Sequence, residues 1–289
     1  TAADIATSAD GVRSVFIIDL DSDGDLDIIS ASYNDDTIAW YENNGAADPS
    51  FTAADINTGA DGSFFVFAAD MDKDGDIDIL SANKDENTIS WYENDGAADP
   101  SWTAADIATS ANGARSVFVA DMDNDGDLDI LSASQEDHTI AWYENNGAAD
   151  PTWTAANITT AANGARSVVA ADMDHDGDLD ILATAYVDDK ILWYENNGAA
   201  DPSWTAITVA TSADGAFSIR AADIDNDGDQ DIVSGSFLDN AVAWYENNSI
   251  TPSLPSFTER TIEGDFDGAR SVYAVDMDGD GDMDVVGAA

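Results

Sequence analysis

Hydrophobic and polar positions recur along the chain in blocks of 51 residues, and one block shows the pattern. Residues 115–121 form a short run, rich in β-branched and aromatic side chains, that enters an acidic stretch; residues 128–133 form an apolar run that leaves it. Residues 139–144 alternate and stop at the turn Asn-Asn-Gly-Ala-Ala-Asp-Pro, and residues 153–158 come next and stop near Asn163 and Gly164. Short runs bounded by Gly, Asn, Asp and Pro read as β-strands. No window carries a 3.6-residue apolar period, so helices are expected to be minor.

Three markers fix the repeat. An acidic nonamer starts at Asp19, Asp70, Asp121, Asp172, Asp223 and Asp276, spaced by 51 residues and finally by 53. Trp-Tyr-Glu-Asn starts at Trp40, Trp91, Trp142, Trp193 and Trp244. An aromatic after a Pro turn stands at Phe51, Trp102, Trp153, Trp204 and Phe257. Four strands per unit of this length predict an all-β fold, a β-propeller of about 51-residue four-stranded blades in six units. The whole of 1–289 reads as one domain, with units near 11–61, 62–112, 113–163, 164–214 and 215–267 and a closing unit of 268–289 plus 1–10. Six full units exceed the 289 residues present. Residues 1–7 match the fourth strand of a unit and residues 268–289 supply the first two, which leaves no third strand. The expectation is therefore a short closing blade shared between the termini, a fragment (in one alternative, of a seven-bladed propeller), or a strand donated by a neighbouring molecule. The fifth unit departs from the others over residues 249–257.

Charge adds the chemistry. Asp and Glu number 59 against 9 Lys and Arg, for a net charge of −50, yet 44% of residues are hydrophobic, as in ordinary globular proteins. Such a surface repels phosphate backbones and anionic lipid, so nucleic-acid and membrane-surface binding are excluded as expectations. No apolar run is long enough to be a membrane-spanning helix. There is no Cys, which removes thiolate chemistry and disulfides.

Each nonamer reads Asp-x-Asp-x-Asp-Gly-Asp-x-Asp, and its five carboxylates would repel one another without a cation. The candidate metal ligands are Asp19, Asp21, Asp23, Asp25 and Asp27 in the first unit and Asp70, Asp72, Asp74, Asp76 and Asp78 in the second. The third supplies Asp121, Asp123, Asp125, Asp127 and Asp129, and the fourth Asp172, Asp174, Asp176, Asp178 and Asp180. The fifth supplies Asp223, Asp225, Asp227, Asp229 and Asp231, and the sixth Asp276, Asp278, Asp280, Asp282 and Asp284. Oxygen-only ligands suit a hard cation, and a flexible set of six to eight suits Ca²⁺ better than Mg²⁺. About one Ca²⁺ per loop, six in all, is expected. An EF-hand is the nearest confusion, but position twelve is Ser, Ala or Gly here and cannot supply its bidentate Glu. Side chains at positions one, three, five and nine are expected to bind, with position seven giving its backbone carbonyl and turning its side chain to solvent. Gly at position six permits the sharp turn.

These loops resemble the FG-GAP/VCBS-type repeats of integrin-α-like β-propellers, and the resemblance covers essentially the whole chain. It implies Ca²⁺ held in a nine-residue loop between the first two strands of each blade. The Phe-Gly-Gly-Ala-Pro element of that family is replaced here by Asn-Gly-Ala-Arg-Ser at residues 112–116. The resemblance implies a scaffold and a secreted or cell-surface location, not one activity.

Other residues have blander expectations. The five Trp of Trp-Tyr-Glu-Asn are expected to fill the space between blades. Arg13, Arg115, Arg166 and Arg270 recur just before the first strand, with Phe64 and Phe217 in the other two units. They are expected to pair with carboxylates such as Glu42, Glu93, Glu144 or Glu195; the alternative is a ring of donors at one channel mouth. The loops after the second strand begin at Tyr33, Lys84, Gln135, Tyr186 and Phe237 and vary most, as recognition loops on a repeated frame do. His138 and His175 are expected to be incidental surface residues. Near-identical units argue against a single asymmetric active site, so the chain is expected not to be an enzyme. The expected function is a secreted or cell-surface calcium-binding, carbohydrate-binding or adhesion module; a structural subunit of an extracellular filament or surface layer is the alternative, and a polysaccharide-degrading enzyme using an Asp or Glu pair ranks third. The expected partner is an extracellular glycan or surface protein, with self-association through the incomplete blade a further possibility.

Overall fold

The computed structural model describes residues 4–97, 99–248 and 256–289. The first sheet contains β1 (Val12–Ile18), β2 (Asp27–Ser32), β3 (Thr37–Asn43) and β4 (Phe51–Asn57). The second contains β5 (Ser63–Ala69), β6 (Asp78–Asn83), β7 (Thr88–Asn94) and β8 (Trp102–Ala108). The third contains β9 (Ala114–Ala120), β10 (Asp129–Ser134), β11 (Thr139–Asn145) and β12 (Trp153–Thr159). The fourth contains β13 (Ala165–Ala171), β14 (Asp180–Ala185), β15 (Lys190–Asn196) and β16 (Trp204–Ala210). The fifth contains β17 (Ala216–Ala222), β18 (Asp231–Ser236), β19 (Ala241–Asn247) and β20 (Phe257–Glu263). A sixth, two-stranded sheet pairs β21 (Ser271–Val275) with β22 (Asp284–Ala288). Every pairing is antiparallel between chain neighbours, and there is no helix among the described residues. The fold is a β-propeller.

The core lies in the seams between sheets. Successive residues of a strand point to opposite faces, and here both faces are covered. Leu20, Ile29, Ala31, Ile38 and Trp40 of the first sheet meet Ala60, Val66, Ala68, Ile79 and Tyr92 of the second, and the later seams repeat this set. Trp and Tyr of Trp-Tyr-Glu-Asn are adjacent, so they face opposite ways: Tyr92 fills the seam behind its sheet and Trp91 the seam ahead. Trp91 meets Trp153 of the next sheet edge-to-face at 6.4 Å, and Trp142 meets Trp204 at 6.4 Å. The expectation that these rings fill the blade interfaces holds for Trp40, Trp91, Trp142 and Trp193, whereas Trp244, next to the two-stranded sixth sheet, is only half-buried.

The first strands are innermost. Each contacts the first strand of the next sheet, from β1 through β5, β9, β13 and β17 to β21. Phe16, Phe67 and Phe118 line the axial channel between them, with centroids 4.8 and 5.5 Å apart. All first strands run the same way along this channel, so the residues before them gather at one mouth and the residues after them at the other. Seven residues at roughly 3.3 Å each separate the two by about 20 Å.

The closing unit is incomplete, as expected, with two strands and no third among the described residues, but the fourth strand expected from the N-terminus is not formed by residues 4–7. Residues 1–3 lie outside the described residues, as does the divergent segment 249–255. The reason is pairing: a fourth strand bonds only to the third strand of its own sheet, as β4 does to β3. The sixth sheet has no third strand among the described residues, so the repeat-like sequence at the N-terminus has no ladder to join.

Candidate metal centres and an arginine-lined mouth

Each acidic loop joins the first and second strand of a sheet, at the far end of the innermost strand. Local hydrogen bonds dictate its shape. In the third sheet Gly126 N–H donates to Asp121 Oδ2 (2.9 Å), and Asp125 N–H to Asp121 Oδ1 (3.1 Å) and Asp123 Oδ1 (3.2 Å). Asp127 N–H donates to Asp125 Oδ1 (2.8 Å). The chain thereby wraps round its own carboxylates. The wrap needs left-handed backbone at position four (Asn124, φ 60°) and position six (Gly126, φ 94°), and Gly adopts the latter without a Cβ penalty.

The wrap brings ligand atoms together. Carboxylate oxygens of Asp19, Asp21 and Asp23 lie within 4.8 Å of one another, as do those of Asp70, Asp72 and Asp74 and of Asp172, Asp174 and Asp176. In the third and fifth loops the groups are Asp121, Asp123 and Asp129, and Asp223, Asp225 and Asp231. The fold thus juxtaposes positions one and three with five or nine. Burial, reinforced by the neighbouring carboxylates, raises the position-three groups Asp21, Asp72, Asp123, Asp174 and Asp225 above the usual carboxylate range. A divalent cation reverses that penalty, so this donor set fits such an ion.

Position nine has a second role. Asp129 is fully buried; its Oδ2 accepts Met122 N–H (3.1 Å) and its Oδ1 accepts Asn145 N–H (2.8 Å), clasping the loop to the end of β11. Burial pushes Asp78, Asp129 and Asp180 up to about 7, against two backbone N–H donors that favour the charge in each. A carboxylate has about four acceptor sites, so these bonds leave room for an ion. Asn145 extends the clasp: its Nδ2 donates to Leu128 O (3.1 Å) and across the seam to Met71 O (3.0 Å).

Position seven departs from expectation. In four of the six loops its side chain does not turn freely to solvent but meets a polar group from position four of the preceding loop. Lys73 pairs with Asp127, Asn124 Nδ2 donates to Asp178 Oδ1 (2.8 Å), and Asn226 Nδ2 to Asp282 Oδ1 (2.9 Å). His175 Nδ1 stands 3.1 Å from Asp229 Oδ1 in the same register, so His175 is not incidental. Nor is His138, whose Nδ1 accepts Gly164 N–H (3.1 Å). Asp36 and Asn87 accept Gly62 N–H and Gly113 N–H at the equivalent position. The signal for both histidines was their register in the repeat.

At the opposite mouth the arginines contradict the expected pairing with Glu42, Glu93, Glu144 or Glu195. Those glutamates end the third strands, at the acidic end of the sheets. Arg13, Arg115, Arg166 and Arg270 instead converge with Phe64 and Phe217 on a cavity of about 350 Å³. The variable loops supply the rest of its wall: Tyr33, Lys84, Tyr186 and Phe237 line it, and Gln135 Oε1 accepts Arg115 Nε–H (2.7 Å). The guanidinium carbon of Arg166 lies 3.4 Å from the Phe217 centroid and that of Arg115 lies 4.3 Å from Phe64. Burial, then repulsion from Arg115, pulls Arg166 down to about 9. Two residues some twenty apart in each of five units, with Arg270 from the sixth, build this mouth, and only the topology unites them.

Fold and loops together define a β-propeller with a repeated acidic metal-type loop. The FG-GAP-like repeat model matches residues 19–81, 70–132, 121–183, 180–234 and 223–287, and the chain belongs to that family. No curated protein matches the sequence. Among solved structures, the chain is similar to the Vibrio cholerae biofilm matrix protein Bap1, with 19% identity, a TM-score of 0.55, and coverage of 92% of this chain and 41% of that one. It therefore spans less than half of Bap1's length. A Lactobacillus plantarum protein (15% identity, TM-score 0.61) and a putative 6-phosphogluconolactonase from Bacteroides uniformis (16%, 0.60) each align over 91% of this chain and 74% of their own. At these identities the likeness is one of fold.

Proposed function

We propose that the chain is a secreted or cell-surface calcium-binding β-propeller that serves as a carbohydrate-binding or adhesion module. The observation that carries the reading is the grouping of aspartate oxygens within 4.8 Å in loop after loop at one end of the sheets. Oxygen-only donors on a pliable loop favour Ca²⁺ over the stricter octahedron of Mg²⁺. Six such ions would add twelve positive charges against a net −50, and a calcium-rich extracellular milieu supplies them. The fold neighbour from a biofilm matrix supports that location. A lactonase shares the fold, but the reading is non-enzymic: the loops are near copies, and catalysis asks for one asymmetric constellation. The test is calorimetric calcium titration, melting with and without EDTA, and a glycan array run in calcium. About one ion per loop, a chelator-induced fall in Tm and calcium-dependent glycan retention are expected. An EDTA-insensitive Tm refutes the calcium reading, and an array without hits refutes the carbohydrate reading.

A second reading, a subunit of an extracellular assembly, is favoured by two open faces. Val15 and Ile17 are 59% exposed, whereas their counterparts Val66 and Ala68 are 0% and 3% exposed. Met277 is 68% exposed and its counterpart Leu20 is 1%. Both apolar patches flank the incomplete sixth sheet, and on this reading a neighbouring molecule covers them. Sedimentation in calcium is expected to give oligomers that Val15→Asp dissolves; a strict monomer refutes it.

A further inference from the structure

The arginine-lined mouth is the one place where this acidic protein concentrates positive charge. Five of its nine basic residues, Arg13, Lys84, Arg115, Arg166 and Arg270, line a single cavity, and no carboxylate does. Two acids at the rim offset one of these charges: Asp85 takes Lys84 Nζ (2.6 Å) and the Tyr33 hydroxyl (2.6 Å), and Glu136 lies 3.9 Å from Lys84 Nζ, which leaves the four arginines as the uncompensated charge. The four arginines form no ion pair among the described residues, and Arg166 Nε is buried without a hydrogen-bond partner there. Like charges gathered in a partly desolvated cavity are costly unless an anion joins them.

The geometry resembles a prepared receptor. Phe64 and Phe217 hold the guanidinium planes of Arg115 and Arg166 by cation–π contact, and Arg270 lies 5.1 Å from the Phe237 centroid. A guanidinium stacked on a ring keeps its in-plane N–H edge for forked recognition of an oxyanion. The cavity of about 350 Å³ falls at the small end of ligand sites, which run to roughly 300–1,000 Å³. The −50 charge outside it repels a polyanionic strand. The ligand that suits both facts is small and carries its charge on one terminal group.

We propose that this mouth binds a carboxylate on a sugar-sized hydroxylated body, a terminal uronic-acid residue of a glycan or the free sugar acid, with Arg115 and Arg166 holding the carboxylate. This deepens the binding-module reading and rests on it, but it concerns the mouth opposite the acidic loops.

The test is calorimetric titration of the calcium-loaded 289-residue chain with sodium galacturonate, galactose, sodium sulfate and a neutral disaccharide extended by one uronate. Galacturonate is expected to bind one per chain and at least about ten-fold more tightly than galactose or sulfate. Tighter binding of the extended uronate identifies the glycan end as the source, and equal binding identifies the free acid. Arg166→Gln and Arg115→Gln are expected to weaken galacturonate at least about ten-fold, and so, less strongly, is the exposed Arg13→Gln, which carries the test should a buried variant fail to fold. No binding, equal binding of galactose, sulfate bound as tightly (an adventitious anion site), or unchanged affinity in all three variants overturns the proposal. Neutral-glycan hits on the array without uronate binding sink this inference alone; uronate binding in solution without array hits sinks the adhesion reading alone.

Discussion

Acidifying the calcium-free protein from pH 7.5 to 5.0 is expected to raise its melting temperature, against the usual trend for an acidic domain held by carboxylate hydrogen bonds. Asp78, Asp129 and Asp180 are raised from 3.8 to about 7 by burial. A carboxylate raised in the folded state destabilises the fold while it is charged. The folded chain takes up protons first as pH falls through 7, and stability grows until the unfolded value near 3.8 is approached. Each group contributes up to about 1.4 kcal/mol per pH unit in that window. Three groups between pH 7 and 5 set a ceiling of about 8 kcal/mol, and a third of that still moves Tm by about 5 °C. Asp85 and Asp188, lowered by hydrogen bonds from Lys84 and from Asn163, pull the other way only as pH nears 4, below the window. Calcium inverts the slope, because its ligands must be deprotonated; with saturating Ca²⁺ the Tm falls over the same range. General charge repulsion would also relax on acidification, so the decisive variant is Asp129→Asn. It removes one titrating group and is expected to reduce the calcium-free slope by about 1.4 kcal/mol per pH unit at most. The assay is scanning calorimetry at five pH values, with EDTA and with calcium. A calcium-free Tm that falls from pH 7.5 to 5.0, or an Asp129→Asn slope equal to the parent's, refutes the reasoning.

Three further outcomes are expected. Gly126→Ala meets only Lys73 Nζ at 3.9 Å, so its cost is the left-handed backbone alone, about 1–2 kcal/mol by urea unfolding, with one calcium site lost in calorimetry. His138→Asn is expected to be neutral because Asn87 fills the same role, whereas His138→Ala orphans Gly164 N–H and costs about 1–3 kcal/mol on the same assay. Asn145→Ala breaks bonds to Leu128 O and to Met71 O across the seam and is expected to cost about 2–4 kcal/mol, read as a fall in denaturant midpoint.

The repeat makes the strands legible because three markers recur at fixed spacing, and each lies at a strand end or in a seam. The run from Arg115 falls in β9 and Trp153 opens β12. The acidic loop is legible as a cluster, but the second task of its last Asp is not: Asp129 clasps Asn145, sixteen residues away, and only antiparallel pairing sets the two side by side. The incompleteness of the closing unit is legible in the sequence, and only the fate of its fourth strand eludes it, for a related reason. Residues 1–7 carry the side chains of a fourth strand, yet a strand is a relation to a neighbour, and the third strand it needs is missing from the described residues. The arginine mouth is half-visible. Arg115 and Gln135 each stand out, one as a recurrent cation and one as a variable loop residue, but their contact depends on sheet closure.

The innermost strand explains why one short repeat yields two opposite electrostatic environments. Its N-terminal end carries Arg or Phe and its C-terminal end carries the acidic nonamer, so arranging copies in the same direction about an axis sums like with like. Carboxylates collect at one mouth, with oxygens close enough to share a metal ion, and guanidinium groups at the other, where aromatic rings hold them apart. The two ends differ in how they vary. The nonamer is held nearly constant by its wrap, in which every second residue is a hydrogen-bond acceptor for the loop. The arginine end has no such constraint, since Arg and Phe both fit its inner position and Tyr, Lys, Gln and Phe its outer one. The repeated end therefore offers the same donor set in unit after unit, and on the binding-module reading proposed above, selectivity belongs to the end where the units differ.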